Sequence, residues 1–295
     1  MTRIAFIGLG NMGAGMAANQ AKAGYEVVAF DLSSPALERA VAAGCQRAGS
    51  AGEAVADAEV VITMLPAGPH VRTVYADQVA PNAKPGALLI DCSTIDVESA
   101  RAVAASMTTA GYRFADAPVS GGTTGAEAGT LAFMVGCREV DFAEVEAVLQ
   151  PMARAIIRAG EHGAGQAAKI CNNMLLGISM IGVCEAFALA EKLDLAPDKF
   201  FEIASKSSGQ CWSLTNYSPW PDLVETAPSN RDYEGGFATA MMLKDLKLAQ
   251  DAAAKAGAAT PLGAQAQAIY ALFDRLGGGG KDFSAILQML RGKMA

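Results

Sequence analysis

The stretch Gly163-Ala-Gly-Gln-Ala-Ala-Lys169-Ile-Cys-Asn172-Asn173 sets one lysine and two asparagines into an otherwise small and apolar segment. At about 100° per residue of helix, Lys169 and Asn173 stand roughly 40° apart, one turn from each other. Asn172 flanks the same side. A cation and two amides among Ile170, Met174, Leu175 and Leu176 are costly to bury unless each finds a partner. Two readings of the spacing stay open. Either the face is aimed at a ligand, or it is a solvated first turn with a capping asparagine.

Only two histidines occur, His70 and His162, so a Ser-His-Asp triad or a multi-histidine metal site is poorly supplied. The six cysteines are scattered with no CxxC pair. Disulfides and structural zinc are disfavoured, and no metal is expected.

A second constellation opens the chain. Gly8-Leu9-Gly10-Asn11-Met12-Gly13 follows a strand-like run and begins a helical stretch that ends at Gly24. Gly8 permits the tight turn, Gly10 lets backbone approach a pyrophosphate, and Gly13 allows close helix–strand packing. The helix N-terminus offers free N–H groups and partial positive charge to phosphates. Asp31 closes the next strand, 18 residues beyond Gly13, where a carboxylate bonds ribose hydroxyls and repels a 2′-phosphate. Strand, turn, helix, second strand and terminal acid in register form a dinucleotide fingerprint, and the acid favours NAD over NADP.

Further residues sit where later strands end, which is where doubly wound sheets bind ligands. Met64, Leu65 and Pro66 are placed to flank the cofactor's ribose or adenine. Ser93 and Thr94 are placed to reach its nicotinamide side, and His70, in the loop after Pro66, is a further candidate contact. Asp116-Ala-Pro118-Val-Ser120-Gly121-Gly122 is a proline-stiffened turn whose amides and hydroxyl suit a small carboxylate, or a plain turn. The pair Lys244-Asp245 lies on a later helix, where such pairs usually face solvent.

The elements that must position these groups alternate up to about residue 160. Strand candidates lie at residues 3–8, 26–31, 60–64, 87–91, 113–116, 131–135 and 154–158, with Ala-rich helical segments between most of them. This is an α/β pattern, a Rossmann-type doubly wound parallel sheet, assigned to residues 1–162. From residue 163 to 295 strand-like runs vanish and an all-α domain is expected, joined through a long apolar helix over residues 166–193 that should be buried on most sides. Further helices are expected over 197–206, 237–256, 261–276 and 282–291. Between them, residues 210–236 form a non-periodic stretch carrying both tryptophans, Trp212 and Trp220. Long irregular segments inside compact domains are often functional.

Composition narrows the partners. The formal charge is −7 without a basic block, so neither nucleic acid nor an anionic membrane surface is an expected partner. Apolar residues make up 52%, yet the longest run, residues 174–184, stops at Glu185, short of the ~20 residues of a membrane span. The first strand starts within three residues of Met1, leaving no room for a targeting peptide, so a cytoplasmic location is expected.

Taken together, these residues resemble the β-hydroxyacid dehydrogenase family. The matching motifs are GLGNMGAGMAAN at residues 8–19, FD at 30–31, TMLP at 63–66, DCSTI at 91–95, DAPVSGG at 116–122, GAGQAAKICNN at 163–173 and LKDLKLA at 243–249. A second, narrower set includes Ser208-Gly-Gln-Cys-Trp212-Ser, Tyr217-Ser-Pro-Trp-Pro221, Tyr233-Glu-Gly-Gly-Phe237 and Lys281-Asp-Phe283-Ser. Gln20 departs from the family pattern, which often has an apolar residue there, and His70 stands where an amide is common.

The resemblance implies that Lys169 is the catalytic residue. It implies that Ser120, Gly121, Gly122 and Asn173 hold the substrate, and that Lys244 closes over cofactor and substrate. The implied reaction moves a hydride from a carbinol carbon to nicotinamide while Lys169 accepts the hydroxyl proton. A free lysine, pKa ~10.4, is a poor base at neutral pH. Partial burial and a neighbouring nicotinamide cation are expected to lower that value. Trp212 and Phe237 favour a small, partly apolar carboxylate such as 3-hydroxyisobutyrate. Tartronate semialdehyde, succinic semialdehyde and L-serine are the alternatives for the same chemistry. A homodimer or homotetramer is expected. A non-catalytic dinucleotide-binding protein on this fold is the remote alternative.

Overall fold

The computed structural model describes residues 2–293. The chain divides into two compact units, one ending at Lys169 and the other beginning at Ile170. Among the described residues of the first, nine strands make one sheet: β1 (Arg3–Ile7), β2 (Glu26–Phe30), β3 (Gln46–Arg47), β4 (Val60–Thr63), β5 (Leu88–Asp91), β6 (Arg113–Asp116), β7 (Val119–Ser120), β8 (Leu131–Gly136) and β9 (Ala153–Gly160). Their order is β3-β2-β1-β4-β5-β6-β8-β7, with β9 also paired to β8. The chain therefore leaves β1 in both directions, and the order reverses between β1 and β4. That switch point lies beyond the Gly-rich turn.

Strands β1 to β6 pair in parallel. Of these, β1, β4 and β5 read as nearly continuous apolar runs because both their faces are covered. Ile4 and Phe6 enter one core with Val27, Ile62 and Ile90, whereas Ala5 and Ile7 enter the other with Val28, Val61 and Leu89. The sheet is parallel-dominated, as expected, with antiparallel pairing at β8. Strand β8 runs antiparallel to β6 and β7, and β9 follows β8. Pro118 interrupts the chain after β6, and the two-residue strands β3 and β7 are too short for periodicity to signal them.

Helices cover the sheet: α1 (Gly13–Lys22), α2 (Ser34–Ala42), α3 (Ala51–Val55), α4 (Gly68–Val74), α5 (Val97–Thr109), α6 (Gly122–Ala128) and α7 (Glu139–Leu149). His70 therefore stands on α4, not in a loop. Gly15 sets how close α1 comes to α6, since a Cβ there would lie 2.9 Å from the Ala126 carbonyl. Asn19 secures the same contact, donating to the Ala126 carbonyl at 2.7 Å. Gln20 is fully buried and donates to the Val148 carbonyl at 2.7 Å, its own carbonyl oxygen lacking a partner.

The long helix α8 (Ala164–Lys192) begins in the first unit and continues into the second. Its start is fixed by packing. A Cβ on Gly165 would collide with the Met134 carbonyl and approach the Asp116 carbonyl to 2.7 Å, so backbone meets backbone there. Of its second-unit part, Met180, Cys184 and Phe187 enter a core with Leu246, Tyr270, Phe283 and Ile286. By length and composition alone this helix could cross a membrane, its most apolar window having a mean hydropathy of 1.7. It extends past Glu185, beyond the shorter apolar run in the sequence. Burial on most sides does not hold either, since Leu175 and Leu189 are 64% and 60% exposed.

The second unit adds α9 (Pro197–Ser205), α10 (Trp212–Thr215), α11 (Thr239–Ala256), α12 (Pro261–Arg275) and α13 (Ile286–Leu290). Gly177 lets α8 pack closely on α11, where a Cβ would stand 3.2 Å from Leu246 and Met242 side chains. The expected helix at 282–291 is split, a 3₁₀ turn at Phe283–Ala285 preceding α13. The irregular stretch is tied down near its middle by Trp220, which stacks on Phe187 and lies under the Arg291 guanidinium. Arg291 in turn grips Glu191 with two bonds, of 2.8 and 2.6 Å.

Candidate active site

The Gly-rich turn has the shape the fingerprint requires. Gly8 holds φ +94°, and a Cβ there would collide with the Met64 carbonyl. A Cβ on Gly13 would collide with the Gly8 carbonyl. Gly10 is different, exposed and with nothing within 4 Å of the position a Cβ would take. The crown of the turn is thus open for close approach of a phosphate to backbone, and a dinucleotide fits it. Asn11 is exposed and Met12 half-buried beside it, while the Leu9 side chain is fully buried in the core. The Leu9 amide donates to Asp31 at 2.6 Å, and the Ser33 amide to the other Asp31 oxygen at 2.7 Å. Asp31 therefore shapes the turn.

The loops after β4 and β5 are joined by a buried network. Asp91 Oδ1 accepts from Thr63 (2.7 Å) and from the Ser93 hydroxyl (2.5 Å) and amide (3.2 Å). Ser93 Oγ accepts from the Leu65 amide at 2.8 Å. Ser93 is fully buried, so its hydroxyl serves to fasten Leu65 over β5. Met64 and Leu65 are half-buried and Pro66 exposed. Gln166 of α8 grips the next turn on both sides of half-buried Thr94, donating to the Ser93 carbonyl (2.7 Å) and accepting from the Ile95 amide (3.1 Å). Sequence reasoning does not single out Gln166, whose only signal is an amide among small residues.

Asp116, from the end of β6, caps α8. Its carboxylate accepts from the Gly163 amide at 2.6 Å and the Gln166 amide at 3.0 Å. This holds the helix in rotation and height, and with it Lys169, only 6% exposed. Gly121 and Gly122 follow Ser120 with φ of +137° and +64°, a backbone turn that other residues resist, and nothing lies within 4 Å of a Gly122 Cβ position. Neither histidine lies fully buried. His162 bonds the Phe114 carbonyl at 2.9 Å, and His70 is exposed on α4.

In the second unit, Asn173 donates to Asp245 of α11 at 2.5 Å, and Asn172 donates to the side-chain Oδ1 of Asn173 at 3.0 Å. The Asn173 amide is thereby held in one orientation. Asp245 is only 3% exposed, so the Lys244-Asp245 pair is not a solvated face. The Lys244 ammonium stands 3.6 Å from the free oxygen of that carboxylate. Trp212, half-exposed, stacks on Tyr217 with centroids 4.9 Å apart. Tyr217 and Phe237 both pack on Phe283, at 5.5 and 5.8 Å. The two aromatic residues singled out in the sequence thus belong to one row.

The segment leading into Phe237 is strained. Asp232 and Tyr233 hold φ of +51° and +59°, and Gly235 and Gly236 are also left-handed. Each such non-glycine residue costs about 1–3 kcal/mol and persists where surrounding structure over-determines it.

The chain resembles known proteins over nearly all of its length. Residues 3–160 match the family model for the NAD-binding domain of 6-phosphogluconate dehydrogenase, and residues 163–290 match that for NAD-binding of NADP-dependent 3-hydroxyisobutyrate dehydrogenase. The 3-hydroxyisobutyrate dehydrogenase of Pseudomonas aeruginosa is 49% identical, the match covering 99% of this chain and 100% of that one. An NAD-dependent L-serine dehydrogenase of the same organism is 47% identical over 98% of each. The solved 3-hydroxyisobutyrate dehydrogenase of Mycobacterium tuberculosis with L-serine is 50% identical, with a TM-score of 0.95 over 99% of both chains. The chain belongs to the β-hydroxyacid dehydrogenase family. Its activity is that of an NAD-dependent oxidoreductase acting on 3-hydroxy acids.

Burial pushes the Asp91 carboxyl up to about 6 despite the bonds from Ser93 and Thr63, and pushes Asp116 up to about 6 despite the Gly163 and Gln166 amides. A raised carboxyl favours the protonated fold. The stability it contributes is complete below the unfolded value near 4 and is lost as pH rises through about 6. For Asp91 the loss is on the order of 3 kcal/mol. All of its bonds fall on Oδ1, and Oδ2 has no partner. Asp91→Asn keeps those bonds and removes the charge. Urea unfolding is expected to show the variant at least as stable as wild type at pH 7.5, with that advantage shrinking towards pH 5. A constant difference at both pH values would contradict the assignment.

Proposed function

We propose that this protein oxidises 3-hydroxyisobutyrate to methylmalonate semialdehyde, a step of valine breakdown, with Lys169 as the general acid/base. The observation that carries the reading is a buried lysine on a helix whose start is fixed by Asp116, Gly165 and Gln166. When bound, NAD supplies the hydride acceptor. Lys169 Nζ takes the substrate hydroxyl proton during oxidation and returns it during reduction. Ser120 with the amides of Gly121 and Gly122 holds the carboxylate. Asn173, oriented by Asp245, holds the substrate beside the lysine. Trp212 and Phe237 face its apolar side, and Lys244 contacts cofactor and substrate.

A second substrate has its own support. L-serine presents the same 3-hydroxy acid skeleton, one relative is named for its oxidation, and a solved relative is named together with it. The two differ at C2, where 3-hydroxyisobutyrate carries a methyl group and L-serine an ammonium. Apolar Trp212 and Phe237 favour the methyl group.

Lys169→Ala and Lys169→Arg are both expected to abolish turnover while NAD binding, read by fluorescence titration, survives. Arginine keeps the charge but does not shuttle protons near neutral pH. Retention of more than about a tenth of the wild-type kcat rejects the acid/base role. A panel of 3-hydroxyisobutyrate and L-serine, oxidised with NAD and NADP, and of the two semialdehydes, reduced with NADH and NADPH, ranks substrates by kcat/KM within each direction. 3-Hydroxyisobutyrate with NAD is expected to lead. L-serine ahead by about tenfold would reassign the substrate, and a preference for NADP would overturn the role given to Asp31.

A further inference from the structure

The motif Lys281-Asp282-Phe283-Ser284 has no part in the chemistry above, yet it bonds the strained segment at Asp232, Tyr233, Glu234 and Phe237. The Asp282 amide donates to the Tyr233 carbonyl at 2.9 Å. The Phe283 amide donates to the Phe237 carbonyl at 2.9 Å, and the Lys281 carbonyl accepts from the Thr239 amide at 2.8 Å. The Lys281 ammonium bridges Asp232 at 2.9 Å and Glu234 at 2.7 Å. At the centre is the Asp282 side chain, fully buried. One oxygen accepts from the Ser284 amide and hydroxyl at 2.9 and 2.5 Å. The other accepts from the Tyr217 hydroxyl and the Phe237 amide, both at 2.8 Å.

That second oxygen joins the two ends of the aromatic row. Tyr217 carries the stacked Trp212, and Phe237 follows the left-handed Gly236, where a Cβ would collide with the same carboxylate oxygen. A simple structural tie would not need two consecutive left-handed non-glycine residues beside it. Strain kept in place by this many bonds marks a segment whose exact position is used.

We propose that Asp282 is a positioning residue for substrate selection: it sets Phe237 and the Trp212–Tyr217 stack at a fixed separation, and that separation discriminates a C2 methyl group from a charged or polar C2 substituent. The inference rests on the reading that Trp212 and Phe237 touch the substrate. Asp282 touches no reacting atom and acts through the two aromatic arms. Lys281 supports it from outside by holding Asp232 and Glu234.

Three variants of the full chain, assayed with NAD on 3-hydroxyisobutyrate and L-serine, test this. Asp282→Asn keeps the volume, but with its oxygen on Ser284 it turns an amide N–H toward the Phe237 N–H. It is expected to raise KM for 3-hydroxyisobutyrate about tenfold, leave kcat within about threefold and leave the KM for NAD unchanged. The kcat/KM preference for 3-hydroxyisobutyrate over L-serine is expected to fall by about fivefold or more. Tyr217→Phe, which keeps the ring and loses only the hydroxyl, is expected to move the same two quantities about threefold. Phe237→Ala is expected to move them at least as far as Asp282→Asn.

If Phe237→Ala raises KM while Asp282→Asn and Tyr217→Phe leave KM and the preference at wild-type values, the positioning role is overturned and the substrate contact stands. A lowered unfolding midpoint with unchanged KM likewise overturns the positioning role, since that is what a purely structural residue would show. If Phe237→Ala leaves KM unchanged on both acids, the substrate contact itself falls, and the inference with it. Should Asp282→Asn not fold, Tyr217→Phe decides by the same readouts.

Discussion

The carboxylate of Asp116 bonded to the amides of Gly163 and Gln166 is the contact on which the rest of the candidate site depends. It joins the end of β6 to the first turn of α8 and satisfies donors that a helix start leaves unpaired. The anion also meets the positive end of the helix dipole. Because Gly165 allows no side chain between this helix and the strands beneath it, the helix has little freedom to turn or slide. Two consequences follow along its length. Gln166 lands where it grips the backbone around Thr94, and Lys169, one turn further, is buried.

The same device recurs. Asp91, Asp116 and Asp282 are all buried carboxylates that accept several donors from separate segments. Removing a carboxylate from water is unfavourable, and the bonds recover only part of that cost, as the raised carboxyls of Asp91 and Asp116 show. What a carboxylate adds is direction: each of its oxygens fixes the angle of the backbone or side chain that donates to it. The three stand at the loop pair after β4 and β5, at the start of α8, and between the two arms of the aromatic row.

Much of the first unit was legible in the sequence because its signals are local. The Gly-rich turn, its flanking strands and Asp31 lie within one short segment, and Gly8 and Gly13 have steric reasons that the structure displays. The apolar runs of β1, β4 and β5 announced strands covered on both faces. What escaped notice depends on distant pairing. Nothing near Gln166 in the chain indicates that it grips the turn after β5, and nothing near Asp245 indicates that it orients Asn173. Ser93 looked like a ligand-facing hydroxyl because it ends a strand, but its bonds to Asp91 and Leu65 consume it. The reversal at β8 was hidden because strand direction leaves no mark on periodicity. In the second unit, Trp212 and Phe237 were visible as aromatic residues in an irregular stretch, whereas the link between them runs through Asp282, far along the chain.

The central claim is that the buried amine of Lys169 exchanges the substrate proton, and the pH dependence of kcat/KM for oxidation of the preferred 3-hydroxy acid tests it most directly. The account predicts an acidic limb, with activity lost as one group is protonated, and a midpoint below the ~10.4 of an ordinary lysine. A rate independent of pH between about 6 and 10 would contradict it, because no base would then titrate within the range a perturbed lysine must occupy.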